Sequence, residues 1–201
     1  MEYTSKLLTP EQQKKLHDAL KDAISNITKD KELIENTPTR WIKAFDEWFG
    51  NSNENISEMG KHICKVFPSK NDSMIVAHNI EVWATCQHHM CPYKTHIAIG
   101  VIPTGGKVMG LSKYTRLVHE IARRFDSGIV EDFVENISKA LISALGTDNV
   151  AVIAYSLPGD IHTCAASRGA NDSNMRIVAS SLRGDFKSLS DTRAEFLSYI
   201  K

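Results

Sequence analysis

Near the start of the chain, apolar side chains recur at helical spacing. Leu16, Leu20, Ala23, Ile24 and Ile27 form one stripe. Trp41, Ala44, Phe45, Trp48 and Phe49 form a second, at i, i+3, i+4, i+7 and i+8. Thr9-Pro10-Glu11-Gln12 opens the first predicted helix, with Thr9 as N-cap, Pro10 in the first turn and Gln12 closing a capping box. Thr37-Pro38 predicts the start of the second. After the polar loop at 50–55, a third helix is predicted over 56–67, and 68–73 is a break. The pattern then changes to runs of Ile, Val and Ala with partial alternation, which predicts strands over 74–85 and 96–102 and a turn at 103–106. Ser112 is read as the cap of a helix that turns Tyr114, Leu117, Val118, Ile121, Ala122 and Phe125 inward. The next helix runs from Ile129 to Leu145, and Gly146 ends it. Strands are predicted over 149–157 and 161–166 around Pro158-Gly159-Asp160, a weaker one over 177–182, and a closing helix over 192–200.

This order predicts an α+β fold, an antiparallel sheet with two helices packed on one face. A helical N-terminal region (1–72) precedes the sheet-bearing catalytic region (73–201). The chain has 201 residues, of which 42% are hydrophobic, enough for a core without disulfide staples. Lys+Arg and Asp+Glu are both 24, so there is no basic excess of the kind a general nucleic-acid binder carries. Any anionic ligand needs a local cluster of cations. No apolar run reaches membrane-spanning length, and the polar start Met1–Lys6 has no secretory pattern. The expected setting is therefore the cytoplasm, where cysteines 64, 86, 91 and 164 read as metal-binding or catalytic rather than paired.

Two stretches carry candidate chemistry, Cys86-Gln87-His88-His89 and His162-Thr163-Cys164. Thiolate and imidazole are ligands zinc prefers, and three protein ligands leave a position for a reactive water. Cys86, His89 and Cys164 are the candidate ligands, with His88 and His162 beside them for proton chemistry. The bland alternative is a buried thiol and surface histidines. A zinc deaminase is excluded, because His-x-Glu and Pro-Cys-x-x-Cys are both missing. Gly110-Leu111-Ser112-Lys113 places a hydroxyl, an ammonium and backbone N–H groups at a helix start, with Arg116 one turn on and Arg168 available as a further fork. Read alone, that is equally an ordinary solvated helix face. Gly105-Gly106-Lys107 lacks the Walker spacing. Glu131, early in its helix, suits the dipole, or could accept two hydrogen bonds from the N1–H and amino edge of guanine.

Together, Cys86-Gln87-His88-His89, Gly110-Leu111-Ser112-Lys113-x-x-Arg116 and His162-x-Cys164-x-x-x-Arg168-Gly169 resemble GTP cyclohydrolase I. Thr37-Pro38-x-Arg40, Ile102-Pro103, Leu182-x-Gly184-x-Phe186 and Thr192-Arg193-x-Glu195-Phe196-Leu197 extend the resemblance from about residue 36 to the C-terminus in the family's order. It implies a tunnelling fold (T-fold) and a homo-oligomer, typically a decamer, with active sites between subunits. It implies Zn2+ on Cys86, His89 and Cys164, His162 as proton donor, His88 as a second acid/base group and Ser112 on the sugar side. Lys113, Arg116, Arg168 and Arg40 would contact the triphosphate of GTP, and Glu131 would anchor guanine. The implied reaction releases C8 as formate and gives 7,8-dihydroneopterin triphosphate. Gln87, Val130 and Ala98 depart from the family's Glu, Gln and His, and Cys91 is a rival thiolate. A nitrile reductase of 7-deazaguanine synthesis, or a non-catalytic purine-nucleotide-binding subunit, are the alternatives.

Overall fold

Helix α1 (Pro10–Ile27) begins where its residues dictate: Thr9 accepts from the Gln12 amide, and the Gln12 side chain returns a bond to the Thr9 backbone. Helix α2 (Lys31–Phe49) starts six residues before the predicted Thr37, because Asp30 caps the amides of Glu32 and Leu33. Pro38 therefore lies inside the helix rather than at its start. The stripe of α2 is an aromatic ladder, with Trp41 stacked on Phe45 at 5.5 Å and Phe45 edge-on to Phe49 at 5.2 Å. Ile27, by contrast, is exposed. The computed structural model describes residues 3–70, 72–160, 163–167, 169 and 176–200, the side chain of Cys164 excepted. It divides into two compact units, Met1–Ser52 and Asn53–Lys201.

In the second unit, α3 (Ile56–Ile63) ends before Val66, so the predicted helix is shorter. Residues 66–68 instead form β1 (Val66–Pro68), paired with β4 (Lys107–Met109). The main sheet is antiparallel throughout, in the order β2 (Ile75–Cys86), β3 (Cys91–Val101), β5 (Val150–Tyr155), β6 (Val178–Leu182). β3 begins at Cys91 rather than 96. Pro92 lies beyond the last residue paired with β5, where a missing N–H is tolerated. Helices α4 (Leu111–Ala122) and α5 (Val130–Leu145) cover one face of this sheet. Leu117, Val118, Ile121, Phe133, Ile137 and Leu141 pack there on Ile80, Val82, Ile97, Ile99 and Val152. The expected α+β architecture with a helix pair on an antiparallel sheet is thus observed.

The other face is covered at one end by α7 (Asp185–Ser188) and α8 (Ser190–Ser198). Their Phe186 and Phe196 pack on Ala98, Ala151 and Ile153. Gly100 leaves room for the Phe196 ring, which a Cβ would meet at 2.8 Å. Three further expectations change. Gly110, not Ser112, is the N-cap of α4, so Ser112 stands in the first turn. Phe125 opens a short 3-10 turn (Phe125–Ser127) and is exposed. The predicted strand over 161–166 is, where described, helix α6 (Thr163–Ser167). Its two alanines favour a helix, and β5 already pairs with β6. Gly146 ends α5 in the left-handed conformation, φ 68°, as its position predicted.

Candidate functional site

The β2–β3 hairpin makes the first part of the site. Cys86 ends β2, is buried, and faces Cys91 across the ladder. Gln87 to Met90 form the turn, closed by Met90 N–H donating to Cys86 O at 2.8 Å. Met90 is left-handed at φ 53°, a conformation that costs a non-glycine residue about 1 kcal/mol or more and persists where its surroundings enforce it. The turn exposes His88 and His89 and keeps the His88 Nδ1 3.9 Å from the Cys86 sulfur. Cys91 donates to the His89 carbonyl at 3.4 Å, so the rival thiol sits on the same turn.

Gly128 sets where this turn lies. A Cβ there would be 2.5 Å from the Gln87 nitrogen and 2.6 Å from the Thr85 oxygen, so the backbone entering α5 passes directly against the turn. Glu131, exposed in the first turn of α5, shares its surroundings with Cys86. Burial foremost, and then the charges of Cys86 and Glu131, push the Tyr93 hydroxyl up. Val130, which precedes Glu131, is buried in the core, and its side chain offers no polar contact. The start of α4 has no side-chain cap, and Ser112, Lys113 and Arg116 lie in its first two turns, with Ser112 and Arg116 exposed. Burial raises the Cys64 thiol to about 12 against the opposing charge of Lys113.

Helix α6 carries the backbone of Cys164. It is tied to the same hairpin, because the Thr163 hydroxyl donates to the Pro92 carbonyl. Pro92 is the ladder partner of Thr85, next to Cys86. His162 and Arg168 lie outside the described residues, as does the Cys164 side chain. Among the described residues no three of His, Cys, Asp and Glu gather closely enough to hold a metal. The donor set nevertheless fits zinc: a thiol and an imidazole stand on one turn, and the segment bearing a second thiol is bonded to that hairpin. Arg40 belongs to the first unit, where it is ion-paired with Glu32 at 2.5 Å.

One group was missed in the sequence. Asp160, in the turn after β5, clusters with Lys94 and His96 of β3, and the side chains of Asp160 and His96 are buried. The signal was there, since Lys94 and His96 are polar at i and i+2 within an apolar strand. No helix among the described residues is long and apolar enough to cross a membrane.

A model of the GTP cyclohydrolase I family matches residues 13–201. The chain is similar to the GTP cyclohydrolase 1 of Halalkalibacterium halodurans, 32% identical over 171 residues, covering 85% of this chain and 86% of that one. It is similar to that of Pseudoalteromonas translucida, at 33% over 192 residues, 92% of this chain and all of the relative (100%). To that of Campylobacter lari the identity is 34% over 192 residues, 94% and 95% of the two chains. The chain belongs to the GTP cyclohydrolase I family, a family of enzymes.

Proposed function

We propose that this member of the family hydrolyses GTP at C8 of guanine in a zinc-dependent reaction, releasing formate and rearranging the remainder to 7,8-dihydroneopterin triphosphate. The observation that carries the reading is the convergence on one hairpin: Cys86 and His89 on its turn, and α6 with Cys164 bonded to Pro92. Zinc held by Cys86, His89 and Cys164 would supply the Lewis acidity that makes water nucleophilic at neutral pH. Glu131 accepts the N1–H and amino group of guanine and so orients the base edge. The uncapped first turn of α4, with Lys113 and Arg116, offers amide donors and cations to the triphosphate, and Arg168 and Arg40 add guanidinium forks. His162 gives a proton to the imidazole nitrogen of the base, and His88 serves as a second acid/base group. Ser112, in the first turn of α4, stands on the sugar side.

The chemistry belongs to region 73–201, with 1–72 as a helical N-terminal region that brings Arg40. The reading includes the family's tunnelling fold, a cytoplasmic setting and a homo-oligomer, a decamer with sites between subunits. Incubating the zinc-loaded protein with GTP, and measuring formate together with fluorescent neopterin after oxidation, tests it. Both products are expected. Formate alone would place the ring-closing half of the reaction in question, and GTP bound without either product would turn the reading into a nucleotide-binding subunit.

A further inference from the structure

Asp160, His96 and Lys94 take no part in the chemistry above, yet they form a buried polar cluster beside it. On β3, Lys94 and His96 alternate with Tyr93, Ile97 and Ile99, so they occupy the face opposite the α4–α5 core. The Asp160 side chain is 2% exposed and that of His96 7%. Asp160 Oδ2 accepts from the Leu157 amide at 2.7 Å and lies 2.9 Å from His96 Nδ1. An ionised carboxylate only accepts, so Nδ1 is the protonated nitrogen of that contact. The Lys94 ammonium stands 3.0 Å from Oδ1 and offsets the charge of that oxygen. The His96 ring leans on Tyr155 at 5.8 Å, and Glu81 faces His96 Nε2 at 3.8 Å.

Burying a carboxylate is costly unless it is paired, and here every partner pulls in one direction. Asp160 closes its own turn, through its amide to Leu157 O at 3.0 Å and its carboxylate to Leu157 N–H, and pins that turn to β3. Three residues on, Thr163 is bonded to Pro92 of the same strand. The chain is thus fastened to β3 on both sides of His162 and immediately before Cys164. Apolar side chains would close a sheet face without such a set of directed contacts.

We propose that Asp160 is a positioning residue for the reaction: through Lys94 and His96 it fixes the chain at the entry to the stretch that carries His162 and Cys164. The inference rests on the zinc cyclohydrolase reading and deepens it. The full-length, zinc-loaded protein is compared with Asp160→Ala, Lys94→Met and the double variant, using a chromophoric chelator to follow zinc release. Asp160→Ala is expected to release zinc about tenfold faster, as loss of a supporting shell does, and to lose about tenfold in kcat. Its KM for GTP is expected to stay within about twofold, the split that marks lost positioning rather than lost binding. Lys94→Met, at a partly exposed site, moves both quantities in the same direction, and the double variant is no worse than Asp160→Ala, because both remove one interaction. Amide exchange over 157–167 accelerates in Asp160→Ala whether or not metal or GTP is bound.

Wild-type zinc release, kcat and exchange in Asp160→Ala would overturn the inference, as would losses in the two single variants that multiply in the double. If Asp160→Ala fails to fold, Lys94→Met decides by the same readouts. A wild-type protein that releases no formate would instead sink the functional reading, while the exchange comparison still decides the inference.

Discussion

Gly128 has no room for even one more carbon. With the Gln87 nitrogen 2.5 Å and the Thr85 oxygen 2.6 Å from its missing Cβ, the obstacle is backbone, which cannot rotate aside. Gly128→Ala is expected to lower stability by about 1–3 kcal/mol, the usual range for overpacking. Because the displaced backbone is that of the Cys86–His89 turn, it is also expected to reduce zinc stoichiometry. Gly146→Ala is the control. Its position is left-handed with open space around it, so it costs stability through backbone strain alone and leaves zinc content unchanged. Denaturant unfolding with metal analysis checks both, and full zinc in Gly128→Ala would show that the turn yields without loss. At this scale Cys86, His88, His89 and Glu131 could be named as candidates from the sequence, because donor chemistry is written in residue type. Gly128 and Asp160 were not. Gly128 matters for the backbone that lies opposite it, which leaves no mark in the sequence, and Asp160 for its pairing with β3, which only the polar Lys94 and His96 of that strand betray.

The capped start of α1 and the glycine stop of α5 were read correctly; other ends were moved by a competing local cap or by a tertiary partner. The capping box of α1 and the glycine stop of α5 depend on neighbours within a turn. Thr37-Pro38 looked like a helix start, but a better cap at Asp30 was available and the helix continued through the proline. Val66 and Phe67 suited a helix until β4 offered a ladder, and the turn of 163–167 suited a strand with no partner left to pair it. The start of the chain is held to α2 in a way that depends on acid. Asp46 is buried and accepts from Tyr3 Oη at 2.7 Å, Ser5 Oγ at 2.8 Å and Lys6 N–H at 2.7 Å. Burial by itself would raise its carboxyl, but these bonds outweigh it and hold it below the ordinary value. Mainly through burial, and then its bond to Asp46, Tyr3 is pushed up to about 12. A depressed carboxylate adds stability above its unfolded value near 3.9 and loses it as pH falls through the folded one. The raised phenol adds stability below about 10 and loses it as pH climbs toward 12. Asp46→Asn is therefore expected to be less stable than wild type at neutral pH, with the difference shrinking below about pH 4. Thermal unfolding between neutral and acid pH reads this, and a constant difference would remove the carboxylate from the account.

For the whole molecule, charge is balanced at 24 of each sign, so anion binding has to come from local placement rather than a general field. Every member of the two buried clusters of the Asn53–Lys201 unit lies at Met59 or beyond, as do all candidate site residues except Arg40. That unit therefore has its own core, its own sheet and both halves of the candidate zinc site. A chain reduced to 53–201 is expected to unfold cooperatively, to lose the helical signal of α1 and α2, and to retain zinc at full stoichiometry. If Arg40 contributes to triphosphate binding, the shortened chain and full-length Arg40→Ala are both expected to raise KM for GTP. One lost charge-assisted contact of about 1.5–3 kcal/mol corresponds to roughly a tenfold to hundredfold rise. Circular dichroism and metal analysis test the first part, and steady-state kinetics the second. A shortened chain that does not fold would mean that the Asn53–Lys201 unit is not stable without Met1–Ser52. A shortened chain that folds, holds zinc and keeps its KM would take Arg40 out of the site and leave the triphosphate to Lys113, Arg116 and Arg168.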